Sequence, residues 1–263
     1  SIICGWNLIQ KELKKNKTKF IPIDSEHFSI WSLLDKKINK NLEKVFITAS
    51  GGPFVNLPLA KFNKIKPHNA VKHPNWKMGK KISVDSSTLM NKVFEVIEAK
   101  KIFKIDITKF EILIHRDSYL HAIVKFNNGL SKFLVHDTNM TVPIFNSLNN
   151  MKYIKLKTDK LDIEKINNFN LEKVDINRFP VVNILKKIPK KSSLFETVLV
   201  SANDELVDLF LNKRIKYLDI SENIIKILNL KKFARYKHVS PKNYKQIFDL
   251  NKYVRLQTNT FSV

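Results

Sequence analysis

Three carboxylates, two of them one residue apart, form the first group in this sequence whose types and spacing could do chemistry. Asp24-Ser25-Glu26 closes a segment, residues 18–24, that reads as a short buried strand, and α/β sheets place ligand sites at the carboxyl ends of strands. Alternate side chains on an extended backbone point the same way, so Asp24 and Glu26 can converge. A third carboxylate, Glu95, falls within a stretch of helical periodicity. Three oxygen ligands with open positions suit a hard octahedral cation such as Mg²⁺ or Mn²⁺. Alone, an Asp-x-Glu pair is a weak signal, because solvated strand ends and helix caps use the same residues. His27 reads as a packed or exposed histidine, since a hard oxygen site does not need it.

The second group could bind an anion. Ser50-Gly51-Gly52 follows a strand-like run, and glycines let backbone N–H groups approach an oxyanion closely. Ser86 stands at the expected start of a helix, where free N–H groups and the dipole favour a phosphate. Asn91 and Glu95, at i and i+4, share one helical face, with Lys92 three residues before Glu95. Lys92 could meet a phosphate while Glu95 meets a metal about one turn away, the scale of a small sugar phosphate. Ordinary turn glycines and solvated helix polars would give the same residues singly. A third feature is His73-Pro74-Asn75-Trp76-Lys77-Met78-Gly79, in a Pro- and Gly-punctuated stretch. It reads either as a loop tucked against the domain or as a lid whose indole covers a bound substrate.

These residues need elements to position them. Residues 44–49 read as a second short strand, and 27–43 as helical through Phe28, Ile30, Trp31 and Leu34. The stretch 50–81 reads mostly as a long loop with one brief helical segment. From Ser86 to Phe103 the pattern is helical, with Leu89, Met90, Val93, Phe94, Ile97 and Phe103 on one face. Residues 111–115, 119–126 and 130–136 read as strands, the last two joined by Asn127-Asn128-Gly129, a tight-turn signal. Residues 150–175, rich in Lys and Asn, read as a surface linker. Beyond Phe179-Pro180 come helices at about 181–187, 194–213 and 221–230, with Asp219 and Glu222 spaced as a capping box opening the last.

Composition bounds the rest. A chain of 263 residues is long enough for two compact units and buries roughly 70% of its unfolded surface. No apolar run reaches the roughly 18 residues of a membrane span, and no signal peptide opens the chain. Cys4 is the only cysteine, which excludes a disulfide within the chain and suits a reducing cytoplasm. The formal net charge of +23 would favour nucleic acid or an anionic membrane. Yet Arg occurs only at 116, 178, 214, 235 and 255, and the lysines are scattered through every segment. Solvated lysine faces therefore account for the charge better than a nucleic-acid patch, and we expect neither nucleic acid nor membrane as partner. A phosphorylated small substrate would still gain from the field.

Several strings are more specific. Residues 48–54 (Thr-Ala-Ser-Gly-Gly-Pro-Phe), 73–92 (His-Pro-Asn-Trp-Lys-Met-Gly through Asp-Ser-Ser-Thr-Leu-Met-Asn-Lys) and 95–99 (Glu-Val-Ile-Glu-Ala) closely resemble the signature of the 1-deoxy-D-xylulose 5-phosphate reductoisomerase family. Pro22-Ile23-Asp24-Ser25-Glu26-His27 resembles its metal motif. The likeness continues through Ile114-His115, Ser118…His121, Asn139-Met140…Pro143-Ile144 and 201–205, covering nearly the whole chain. The resemblance implies conversion of 1-deoxy-D-xylulose 5-phosphate to 2-C-methyl-D-erythritol 4-phosphate in non-mevalonate isoprenoid biosynthesis, with NADPH and Mg²⁺, Mn²⁺ or Co²⁺. It implies Asp24, Glu26 and Glu95 as metal ligands, with Ser50, Ser86, Asn91 and Lys92 gripping the phosphate. His73 would reach the same end, Ser25 would contact the substrate, and Trp76 and Met78 would cover it. Glu26, Glu95, Lys92 and His73 would carry the catalytic work, and Gly79 and Met140 would lie on the NADPH side. Hydroxamate phosphonates of the fosmidomycin type inhibit the family at its metal and phosphate sites together.

Carried further, the resemblance implies an α/β (α+β) catalytic domain with a mixed sheet, followed by a small all-α domain, in a cytoplasmic homodimer. Residues 1–18 would be the end of an NADPH-binding domain, 19–149 the catalytic domain, 150–175 a linker and 176–263 the helical domain. The chain, starting at Ser1, reads as cut from something longer. Glycine stands only at 5, 51, 52, 79 and 129, so no dinucleotide fingerprint is present, and the chain alone should hold NADPH poorly and be inactive. Departures from the family pattern fall at Val93-Phe94 (Gly-Leu expected), Arg116-Asp117, Asn139 and Thr141. The competing readings are a catalytically silent metal- and phosphate-binding module and a basic nucleic-acid-binding protein.

Overall fold

The computed structural model describes residues 2–34, 39–73, 76, 78–149 and 154–263. Helix α1 (Ile2–Lys15) leads through an extended stretch to α2 (Ser25–Leu33) and then β1 (Leu42–Ala49). A 3₁₀ segment (Leu59–Lys64), α3 (Pro67–Ala70), α4 (Lys80–Ser87) and α5 (Met90–Phe103) follow. Next come β2 (Phe110–Ile114), β3 (Leu120–Phe126), β4 (Ser131–Val135), α6 (Thr141–Leu148), α7 (Ile163–Asn167) and the two-residue β5 (Glu172–Lys173). The C-terminal part is helical: a 3₁₀ segment (Pro180–Lys187), α8 (Phe195–Leu211), α9 (Tyr217–Asn229), α10 (Lys231–Ala234) and α11 (Tyr244–Ser262).

The five strands form one mixed sheet in the order β4-β3-β1-β2-β5. β1 runs parallel to β2 and antiparallel to β3, and both hairpin neighbours, β3 and β4, pair through the turn at Gly129, whose φ is +86°. Val45 and Ile47 on β1 are fully buried, against Val96 and Ala99 of α5 in the same apolar cluster. The other side of α5 (Met90, Val93, Phe94 and Ile97) belongs to a second cluster with Val198, Leu206 and Ile224 of the C-terminal helices. A helix apolar on two sides must be buried on two sides, and α5 is the slab that joins sheet to helices. Val93 and Phe94, where the family pattern has Gly-Leu, fill the helical side, with the Lys81 ammonium 5.1 Å from the Phe94 ring.

The structure corrects several expectations. Residues 18–24 form no strand. Pro22 lacks a ladder donor, Ile23 is half exposed, and Phe20 packs edge-on against Trp6 instead. Asp24 and Glu26 are therefore a helix cap and a first-turn residue, not alternating strand positions. The single helix expected from Ser86 to Phe103 is two, broken at Leu89, whose φ of +62° is left-handed. Ser86 consequently ends α4 rather than opening α5. Asp219 does not start α9: the helix begins two residues earlier, and the Asp219 carboxylate accepts the Lys216 N–H at 2.7 Å from inside the first turn. Among the described residues, the stretch 50–81 holds two short helical segments ahead of α4, not one. α6 and α11 had no sequence signal; α11 buries only Leu250, Val254 and Thr258, while exposed Phe248, Tyr253 and Leu256 blur its period.

Candidate active site

Asp24 caps α2, its carboxylate accepting the N–H groups of Glu26 and His27 at 3.2 Å each. That fixes Glu26 on the first turn, facing α5. Glu95 projects from α5 toward it, and one oxygen from each of Asp24, Glu26 and Glu95 lies within 4.8 Å of the others. His27 is buried behind this trio and bridges it, with Nδ1 3.2 Å from Asp24 and Nε2 3.0 Å from the Glu95 backbone oxygen. It is a packed buttress, as the sequence suggested. Lys92 donates to Glu26 and sits 2.7 Å from Glu95 Oε2, while Asn91 donates to the other Glu95 oxygen and Ser25 to Glu26.

Three carboxylates thus face one ammonium. Burial, then Glu26 and Asp24, push the Glu95 carboxyl well above the ordinary value, and Lys92 offsets this only in part. Burial would raise Glu26 as well, but Lys92 and the hydrogen bonds from Lys92 and Ser25 hold it down at about 2. Asp24 is raised by desolvation within the cluster and by Glu26. Burial would lower Lys92, yet Glu26 and Glu95 hold its ammonium above the usual lysine value. The group is short of positive charge, and the Lys92 ammonium at Glu95 Oε2 is shared with Glu26. Both facts fit a divalent cation. Donors around a small cation at about 2.1 Å stand roughly 3 to 4.2 Å apart, so the trio needs only a slight inward rotation.

The other end of the pocket is built by the turn after β1. Gly51 and Gly52 hold φ of +83° and +67°, and a Cβ on Gly52 would stand 2.8 Å from Ser87 Cα. Glycine there is required for the turn to lie on the end of α4. Ser50 Oγ accepts the Gly52 N–H at 3.2 Å and lies 3.1 Å from His73 Nε2. Because His73 Nδ1 accepts the Trp76 N–H at 3.0 Å, the neutral ring carries its proton on Nε2 and donates it to Ser50. Burial and the nearby Lys92 lower His73 to about 4, so this neutral form prevails. With both lone pairs of Ser50 Oγ engaged, its own proton is left to donate into the pocket, toward an anion.

The intervening cavity, of about 250 Å³, is lined by Asp24, Ser25, Glu26, Ser50, His73, Trp76, Met78, Ser86, Asn91, Lys92, Glu95 and Met140. Those are all the residues singled out from the sequence except Gly79, which caps α4 instead. Pro74, Asn75 and Lys77 lie outside the described residues. Thr48, Ala49, Ile82, Leu89, Ser118 and His121 also line the cavity without having been chosen as site residues. Ser118 and His121 fell inside quoted motifs, but only the strand pairing of β3 with β1 brings them here. His121 stacks on His136 with ring centroids 3.7 Å apart and meets the Trp76 ring edge-on. Burial, then His136, hold His121 at about 3.

A family model described as the 1-deoxy-D-xylulose 5-phosphate reductoisomerase C-terminal domain matches residues 20–103, and one described as the DXP reductoisomerase C-terminal domain matches residues 136–257. A protein of Pelagibacter ubique named 1-deoxy-D-xylulose 5-phosphate reductoisomerase is 61% identical over 263 residues, covering 100% of this chain and 68% of its own length. One of that name from Clostridium novyi is 34% identical over 97% of this chain and 65% of its own. Among solved structures, a DOX-P reductoisomerase in complex with NADPH, fosmidomycin and magnesium aligns at a TM-score of 0.91 and 27% identity, over 99% of this chain and 67% of that one. The Zymomonas mobilis 1-deoxy-D-xylulose 5-phosphate reductoisomerase in complex with NADPH gives 0.86 and 30%, over 99% and 66%. This chain spans about two thirds of the length of these relatives.

Proposed function

Because the chain belongs to the 1-deoxy-D-xylulose 5-phosphate reductoisomerase family, we propose that it provides the metal and phosphate sites for converting 1-deoxy-D-xylulose 5-phosphate to 2-C-methyl-D-erythritol 4-phosphate. The observation that carries this reading is the joint lining of one cavity by the Asp24–Glu26–Glu95 trio and by Ser50, Ser86, Asn91 and Lys92. A divalent cation, Mg²⁺ or Mn²⁺ (Co²⁺ in the same class), held by the three carboxylates would supply Lewis acidity toward the substrate carbonyl and the neighbouring hydroxyl. Lys92 keeps Glu26 ionised and stands between the acidic trio and the phosphate end. Ser50 and Ser86 hydroxyls, the Asn91 amide and the neutral His73 ring bind and orient the phosphate, fixing the reacting carbons over the trio. Ser25 contacts the substrate, and the Trp76 indole and Met78 exclude water above it.

NADPH is the hydride source in this reading, with Gly79 and Met140 on its side of the site. The division into residues 1–18, a catalytic domain at 19–149, a linker at 150–175 and helices at 176–263 belongs to the proposal. It is supported by the exposed run of residues 154–165, though β5 returns within the linker to the sheet edge; residues 150–153 lie outside the described set. A homodimer through the catalytic domain is supported by β4, an edge strand exposing Phe133, with Leu130 exposed just ahead of it. The buried Cys4 thiol suits a cytoplasmic location.

The test is substrate-dependent NADPH oxidation by the full-length protein. Glu95→Gln should lower kcat by about a hundredfold or more while leaving the fold intact. Full activity in that variant would end the assignment.

A further inference from the structure

The phosphate corner is held from outside the cavity, by residues of the C-terminal helices that do not line it. Ser86 is flanked by two such contacts. On its N-terminal side, Asp85, almost fully buried, accepts a 2.7 Å hydrogen bond from Asn203 Nδ2 of α8. The same carboxylate meets Lys81 at 2.8 Å, and the Lys81 ammonium continues to Asp204 of α8 at 2.9 Å. On the C-terminal side, Tyr217 Oη of α9 donates to the Ser87 carbonyl at 2.7 Å. Tyr217 is itself wedged edge-on among Phe54, Phe62 and Phe210, at centroid distances of 5.2, 5.9 and 5.8 Å.

Locally this stretch is tied by the Ser87 and Thr88 hydroxyls, which donate to the Val84 carbonyl at 2.7 and 3.4 Å, and by the Leu89 N–H on the Ser86 carbonyl at 3.1 Å; the contacts from α8 and α9 add to these. Ser86 and Ser87 are the last residues of α4, and two residues later the backbone turns through the left-handed conformation of Leu89. A helix end of Ser-Ser-Thr composition has weak intrinsic preference for its conformation. We infer that Tyr217 and the Asn203–Asp85 pair are positioning residues for Ser86, setting the helix end so that its hydroxyl meets the phosphate. These two contacts then act on substrate affinity at the phosphate end, one residue to either side of Ser86, whereas the metal trio sits on α2 and the body of α5.

This inference rests on the phosphate site proposed above, and a double-mutant cycle separates the two. Inorganic phosphate is titrated calorimetrically into the wild-type chain, Tyr217→Phe, Ser86→Ala and the double variant, with Mn²⁺ affinity measured in parallel. Tyr217→Phe should weaken phosphate binding about tenfold, leave Mn²⁺ affinity unchanged, and add nothing in the Ser86→Ala background. In the full-length enzyme the same change should raise KM for the phosphorylated substrate more than it lowers kcat. Equal losses in both backgrounds, or unchanged phosphate affinity in Tyr217→Phe, would overturn the inference and leave the phosphate site standing. A wild type that binds no phosphate would remove both. Should Tyr217→Phe fail to fold, Asn203→Ser runs the same cycle from the other contact.

Discussion

Glu95 shares a buried corner with two other carboxylates and a single ammonium, and its protonation decides how readily that corner accepts a cation. Its folded value lies well above the ordinary 4.5, from burial first and then from Glu26. Between the ordinary value and the raised folded one, the metal-free folded state therefore holds a proton that the unfolded state releases. The contribution of Glu95 to stability is fully present below about 4.5 and is lost as pH rises through the folded value. A cation must displace that proton. Mn²⁺ affinity should accordingly rise with pH, by up to about tenfold per unit while Glu95 titrates, and Glu95→Gln should both weaken binding and flatten its pH dependence. Calorimetric titrations at several pH values, in buffers of different ionisation enthalpy, would count the released proton. An affinity independent of pH in the wild type would show that Glu95 is already ionised without metal.

At the scale of elements, the α4–α5 corner is where packing overrides local preference. Leu89 and Lys104 both hold left-handed φ, +62° and +55°, which costs a non-glycine residue about 1–2 kcal/mol. Lys104 is exposed and terminates α5, so Lys104→Gly should stabilise by about 1 kcal/mol, the usual gain of a glycine helix stop. Leu89 is 1% exposed and packs under the sheet. Removing its side chain costs about 2–5 kcal/mol, more than the relief, so Leu89→Gly should destabilise despite the same backbone conformation. Urea midpoints for the two variants, moving in opposite directions, would check both. This corner also marks the limit of legibility in the sequence. Apolar spacing on α5 was plain, and so were β1 to β3, whose apolar runs are buried, while β4 was marked by the Asn127-Asn128-Gly129 turn and not by a buried face. The break at Leu89 was not, since an apolar residue that fits the helical stripe can equally be the knob that ends it. Asp24 and Glu26 were recognisable as a pair, but Pro22 and the lack of a neighbouring strand made them a cap rather than a strand end. Ser50, Ser86, Lys92 and the lid residues stood out by type and spacing as well as by motif string; Ser118 and Thr48 sat inside such strings without showing themselves as site residues, and the Tyr217 contact joins segments far apart in sequence, which periodicity does not report.

For the whole molecule, the question is whether sheet and C-terminal helices are one folding unit or two. α5 contributes side chains to both apolar clusters, so neither closes without it. At its C-terminal end Lys101, 6% exposed, pairs at 2.9 Å with the fully buried Glu196 of α8, whose other oxygen accepts the N–H and hydroxyl of Ser193 at 2.7 Å each. Arg178 closes the opposite side by donating to the Phe54 and Leu57 carbonyls at 2.8 and 2.6 Å. Partial unfolding of the helices would expose one full side of α5 and strand Lys101, so the two halves should melt together. The three tryptophans lie at 6, 31 and 76; Trp31 on α2 and Trp76 against His121 report the sheet side, Trp6 on α1 packs toward α8 and α11, and far-UV dichroism draws on the helices of both halves. The two signals should trace one urea transition with a common midpoint. Glu196→Ala leaves a buried ammonium without its counter-charge and should lower that shared midpoint by the equivalent of about 3 kcal/mol or more, without separating the probes. A dichroism transition preceding the fluorescence transition, in wild type or variant, would mean that the helices unfold on their own and that α5 does not couple the two halves.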